Sequence, residues 1–160
     1  MLPPPLLLLL AAGCHHRPPE AAAPEPSRIE AQKARAAEDG PDRTLEVVRL
    51  ASYALADGDP DTAETALRQA VGPMQDFRAE GELRALVGSE RSKEWKGDPY
   101  EKMMAFTYLG FLLLEGGDRG NALAMSKSAI LADTGTSRFP YRSDFATAFV
   151  LQTLVYDDLG

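Results

Sequence analysis

Apolar positions settle into a helical rhythm from Thr44 onward. Leu45, Val47-Val48, Leu50-Ala51 and Ala54-Leu55 recur three and four residues apart, the spacing that gathers side chains on one face of a helix. Asp57-Gly58 breaks the rhythm and Asp59-Pro60 restarts it. An aspartate there accepts from the amides of a new first turn, and a proline at the first helical position has no N–H to lose. Ala63, Ala66-Leu67 and Ala70-Val71 then share a face until Gly72-Pro73, which predicts the end of the second helix. Two helices joined by so short a turn must lie antiparallel.

The unit recurs. Asp98-Pro99-Tyr100-Glu101 reads as a capping box, with Asp98 as N-cap and Glu101 three residues on. Met103, Phe106, Leu109-Gly110 and Leu113 follow in helical register to Gly116-Gly117, and Asp118 caps a partner with Ala122, Met125, Ala129 and Ile130 inward. A third start follows Pro140, capped by Ser143 or Asp144, with Phe145, Ala148-Phe149, Gln152, Val155-Tyr156 and Leu159-Gly160 in register. Gly160 falls where this third hairpin should turn. The face of Phe149, Gln152 and Tyr156 is therefore expected to lack its cover, as in a fragment of a longer repeat protein or a chain covered by another.

These positions resemble the tetratricopeptide repeat, whose pattern sets a large residue, then Leu-Gly, then a Gly-Asp-type turn and small residues in the second helix. Phe106, Leu109-Gly110, Leu113, Gly117-Asp118, Ala122 and Ala129 match in order and spacing. Val47, Leu50-Ala51, Ala54, Gly58-Asp59, Ala63 and Ala70 match in the first unit, with Ala51 in place of the glycine. Phe149, Tyr156 and Gly160 match in the third, where Gln152-Thr153 departs from Leu-Gly. The resemblance implies an all-α stack of antiparallel hairpins, a TPR-like α-solenoid, over residues 28–160, with hairpins at about 44–71 and 99–132 and a half hairpin at 143–160. The Gly-Asp turns stand 59 residues apart, well beyond the family period of about 34, which leaves an insert at about 73–97 containing a possible short helix, Glu82–Val87. A smaller excess falls at Asp133–Tyr141. By the same resemblance the first helices line a peptide-receiving groove: Leu45, Val48, Ser52 and Leu55, then Met104, Thr107, Phe111 and Leu114, then Val150, Leu154 and Asp157.

Charge narrows the partners. A net charge of −7 argues against nucleic acid, which asks for a basic face, and against a polybasic grip on anionic lipid. The N-terminus points to a membrane by another route. Leu6–Leu10 and Ala11-Ala12 form an apolar run far shorter than the roughly 20 residues of a spanning helix, with the length of a signal-peptide core. Leu10-Ala11-Ala12-Gly13-Cys14 resembles the lipobox of bacterial lipoproteins, which implies a signal peptide at 1–13 and a lipidated Cys14. An ordinary signal peptide containing a cysteine is the alternative, and no Lys or Arg precedes the leucines as a basic n-region would. Cys14 is the only cysteine, so no intrachain disulfide accounts for it. Residues 14–27 carry prolines 18, 19, 24 and 26 among small and charged residues, the composition of a disordered, semi-stiff tether.

No catalytic constellation or cofactor motif stands out. Both histidines, His15 and His16, lie in the tether with no third metal ligand nearby. Asp57-Gly58-Asp59-Pro60-Asp61 imitates the start of a calcium loop, yet Thr62 stands where that loop needs glycine and Arg68 where it needs its bidentate glutamate. Asp157-Asp158 reads as surface at a helix end. Trp95 and Tyr100 admit two roles: a binding anchor in the insert, or a staple packed across the start of the helix at Pro99. The expected function is a non-enzymatic interaction scaffold, tethered through lipid on Cys14 at the periplasmic side of the bacterial cell envelope, at the outer membrane, with a protein partner. The alternative is the accessory N-terminal part of a larger protein whose activity lies beyond residue 160.

Overall fold

The computed structural model describes residues 27–75, 95–134 and 145–160. They form six helices: α1 (Arg28–Ala36), α2 (Arg43–Ala56), α3 (Pro60–Met74), α4 (Pro99–Glu115), α5 (Arg119–Thr134) and α6 (Ala146–Leu159). The class is all-α, with no strand among the described residues. Residues 1–26, which hold the expected signal segment, Cys14 and all of the expected tether but Ser27, lie outside the described residues, as do the greater part of the insert and Ser143 and Asp144.

Two short turns of the same construction join α2 to α3 and α4 to α5. Gly58 and Gly117 hold φ of 73° and 80°, left-handed values that a Cβ would strain. The Gly58 amide donates to the Leu55 carbonyl at 3.2 Å and the Asp59 amide to Ala54 at 2.9 Å. Gly117 to Leu114 at 3.0 Å and Asp118 to Leu113 at 2.8 Å repeat the pair. This is the Schellman closure, which satisfies the last carbonyls of the first helix. The same aspartates then open the second helix: Asp59 Oδ1 accepts from the Thr62 amide at 3.1 Å, and Asp118 Oδ1 from the Asn121 amide at 3.2 Å. One residue thus closes one helix and caps the next.

α1 has no counterpart in the apolar rhythm, because it offers little apolar surface. Ser27 caps it by accepting from the Glu30 amide at 3.2 Å. Polar contacts hold it to α2. Buried Gln32 donates to the Glu46 carbonyl at 2.9 Å and carboxylate at 2.7 Å. Arg28 meets the Asp57 carboxylate and lies 4.6 Å from the centre of the Tyr53 ring. α3 also corrects its expected end at Gly72-Pro73, running through Pro73 to Met74. A proline in the last turn removes only one helical hydrogen bond, and Met74 is fully buried.

Each helix packs on the next, and α4 also packs on α6. The core runs along this series through Val47, Leu67, Met74, Met103, Phe106, Leu109, Leu113 and Leu151. Small residues set the tightest seams: Ala54, Ala63, Ala122 and Ala129 are fully buried, and a Cβ on Gly110 would stand 2.4 Å from Leu151 Cδ2 and 3.4 Å from Met125 Cβ. The expected register of α6 is corrected by one residue. Its buried row is Ala148, Leu151 and Val155, while Phe149 and Tyr156 are exposed. Counting back from Gly160 misplaces the row; Leu151-Gln152, not Gln152-Thr153, takes the place held by Leu109-Gly110 in α4.

Gly110→Val forces a branched side chain into the Leu151 contact and should cost about 1–3 kcal/mol or more in chemical denaturation. Gly120→Ala, with nothing within 4 Å of the added Cβ, should be neutral or stabilising by up to about 1 kcal/mol.

The caps predict an acid limb. The side chain and then the amide of Thr62 hold the Asp59 carboxyl below the usual aspartate range, and the side chain and amide of Asn121 do the same for Asp118. A folded-state pKa below the unfolded one contributes stability that is complete above the ordinary aspartate value and is lost as pH falls through the depressed values. Melting temperature should therefore fall as pH drops from about 5 to 2, and less steeply when Asp59→Asn and Asp118→Asn are combined.

Candidate functional site

Exposed large apolar side chains gather on one helix. Phe149, Val150, Leu154, Tyr156 and Leu159 of α6 are all exposed, with Phe149 at 40 % and Tyr156 at 52 %. Because Ala148, Leu151 and Val155 are spent on the α4–α5 hairpin, the remaining apolar residues of α6 face outward. They form two flanks. Phe149, Gln152 and Tyr156 lie along one and Val150 and Leu154 along the other, each set at helical spacing.

The first flank has a direct comparison inside the molecule. Aligning Ala148, Leu151 and Val155 on Phe106, Leu109 and Leu113 places Phe149, Gln152 and Tyr156 on Thr107, Gly110 and Leu114. In α4 that flank is covered: Thr107 is 3 % exposed, Gly110 is buried against Leu151 and Met125, and Leu114 is half-buried. In α6 the same flank is open.

The groove residues expected from the sequence are distributed unevenly. Leu45, Val48, Leu55, Met104, Phe111 and Leu114 are half-buried, and Ser52 is exposed with its hydroxyl donating to the Val48 carbonyl at 3.0 Å. Val150, Leu154 and Asp157 are exposed. Thr107 is a correction: it belongs to the interior, where its Oγ1 has no hydrogen-bond partner. The pattern that assigned it to the groove contained no sign that a neighbouring helix would cover it. α4 and α6 lie side by side, and Tyr100 and Phe145, at their two starts, meet edge to face with ring centroids 6.1 Å apart. α2 joins the series chiefly through α3.

Trp95 and Tyr100 separate. Trp95 is half-buried against the core, and its amide donates to the Pro41 carbonyl at 2.7 Å, tying the approach to α4 to the loop between α1 and α2. Gly97, at φ 80°, brings the backbone beside Met74, Trp95 and Lys102. Tyr100 is exposed apart from its contact with Phe145. Glu101 accepts from the Asp98 amide at 2.8 Å while the Asp98 side chain accepts from the Glu101 amide, the expected capping box.

A solvent-open depression of about 340 Å³ lies between α1, α2 and α3, lined by Lys33, Leu50, Asp61, Thr62, Thr65, Ala66 and Gln69. Lys33 is paired there with Glu30 at 3.0 Å. Among the described residues no group of three His, Cys, Asp or Glu stands close enough to hold a metal ion, and no helix is long and apolar enough to cross a membrane. Comparison with protein-family models, curated proteins and solved structures finds no match for this chain.

Thr107→Val replaces a buried hydroxyl without a partner by a methyl of similar shape. It should raise unfolding free energy by about 1 kcal/mol or more in urea titration; a loss would show that the hydroxyl is satisfied in solution.

Proposed function

We propose that this chain is a TPR-like interaction scaffold of the bacterial cell envelope, held to a membrane through lipid on Cys14 and binding a protein partner on its helical stack. The supporting observation is the gathering of large apolar side chains on the outward flanks of α6. Exposed apolar surface concentrated on one element costs solubility, and an interaction surface is the usual reason for it. The paired Gly-Asp turns and the serial packing of helices support the TPR-like reading, and the Leu10–Cys14 motif supports the anchor. On this reading the tether at 14–27 spaces the stack from the membrane. The partner then meets the side of the helices where Met104 and Phe111 of α4 are half-buried and Val150 and Leu154 of α6 are exposed.

Two measurements in the producing bacterium test the two halves separately. Cys14→Ser should move the protein from the membrane to the soluble fraction; retention in the membrane removes the lipid anchor from the account. A photo-crosslinking residue at Leu154 or Met104 should yield a discrete adduct with an envelope protein, while one at Lys127 on exposed α5 surface should not. Equal adducts at all three positions, or none, would sink the scaffold reading.

A further inference from the structure

The seam between α6 and the hairpin of α4 and α5 is thinner than the seam within that hairpin. α6 buries Ala148, Leu151 and Val155, whereas α4 buries a row that runs from Lys102 to Leu113. Leu151 sits over Gly110, where the missing side chain leaves it room. One turn before Gly110, on the same face of α4, stands Thr107, 3 % exposed and with no hydrogen-bond partner for its hydroxyl. A hydroxyl removed from water without a partner destabilises the closed form, and that cost vanishes when water reaches it again.

Both ends of α6 are held from outside the helix. Phe145 stands at the N-cap and makes no side-chain cap. Its amide instead donates at 3.4 Å to Oδ2 of Asp133, a buried carboxylate in the last turn of α5. At the other end Asp158 pairs with Arg119, both exposed, and an ion pair in water contributes little. The outward flanks add little burial, since Phe149, Val150, Leu154 and Tyr156 meet solvent.

Few buried apolar groups, an exposed ion pair and an unsatisfied hydroxyl mark an element that opens before the whole domain does. We propose that α6 is a releasable cover. It undocks from α4 and α5 as one unit while the hairpins stay folded, baring Gly110 and returning the Thr107 hydroxyl to water. The closed form presents Phe149 and Tyr156; the open form presents the Gly110 flank of α4 in their place. α1, at the opposite end of the series, is built otherwise. Its buried Gln32 donates twice to Glu46, so opening there relieves no unpaired group.

Native-state hydrogen exchange of the full chain in increasing urea tests this. The amides of Leu151, Thr153 and Val155 should exchange at least about tenfold faster than those of Phe106, Leu109 and Gly110, with a weaker dependence on urea, the sign of a partial opening. Thr107→Val, which replaces the hydroxyl by a methyl, should slow the α6 amides about fivefold and leave those of α1 unchanged. Leu151→Ala, which empties the seat over Gly110, should speed the α6 amides by more than about tenfold and leave those of α2 and α3 unchanged. The inference is overturned if α6 and α4 exchange at one rate with one urea dependence. It is also overturned if Thr107→Val slows α4 and leaves α6 unaltered, or if Leu151→Ala speeds every helix alike.

Discussion

Two aspartates, Asp59 and Asp118, hold the architecture to its form. The backbone amide of each is spent on the end of one helix and the carboxylate on the start of the next, with a left-handed glycine immediately before. Four orphan amides and four orphan carbonyls confront each other where two helices meet end to end, and a short connection leaves little chain to satisfy them. The Gly-Asp pair satisfies two of the carbonyls with its amides and one of the amides with its carboxylate. It thereby fixes the second helix antiparallel to the first, and from that geometry follow the alanine seams, where Ala63 and Ala122 are fully buried in corresponding places.

Hairpins made in this way bury one face each and must find cover for the rest. Between the second hairpin and α6 the cover depends on Gly110, where the absence of a side chain admits Leu151 against the helix. That contact determines which residues of α6 are consumed and which are left. Ala148, Leu151 and Val155 go inward; Phe149 and Tyr156 remain outside. The exposed apolar surface of α6 is thus a consequence of how the core packs. At the other end of the helix series the logic differs: α1 is held by Gln32, Arg28 and their polar partners, and little apolar burial supports it.

The hairpins were legible in the sequence because their signals are local. Asp59-Pro60 and Asp98-Pro99 announce helix starts by hydrogen-bonding chemistry that involves only neighbouring residues, and Gly58 and Gly117 announce the turns. The parts that were not legible depend on contacts between distant residues. α1 has almost no apolar stripe, and only the Ser27-to-Glu30 capping pattern marked it. The end of α3 was set by the burial of Met74, against the local signal of Pro73. The register of α6 could not be read by counting from Gly160, because Leu151 is selected by the space above Gly110. Thr107 was assigned to a groove for a related reason, since nothing near it in sequence reports that its flank would be covered.

The position of α6 therefore decides both the packing account and the candidate surface. Nuclear Overhauser contacts in solution test it most directly. The account predicts contacts from the Leu151 methyls to the Gly110 α-protons and none from the Phe149 or Tyr156 rings to α4 or α5. Ring contacts from Phe149 and Tyr156 to Phe106 or Leu113, with Leu151 turned to solvent, would contradict it.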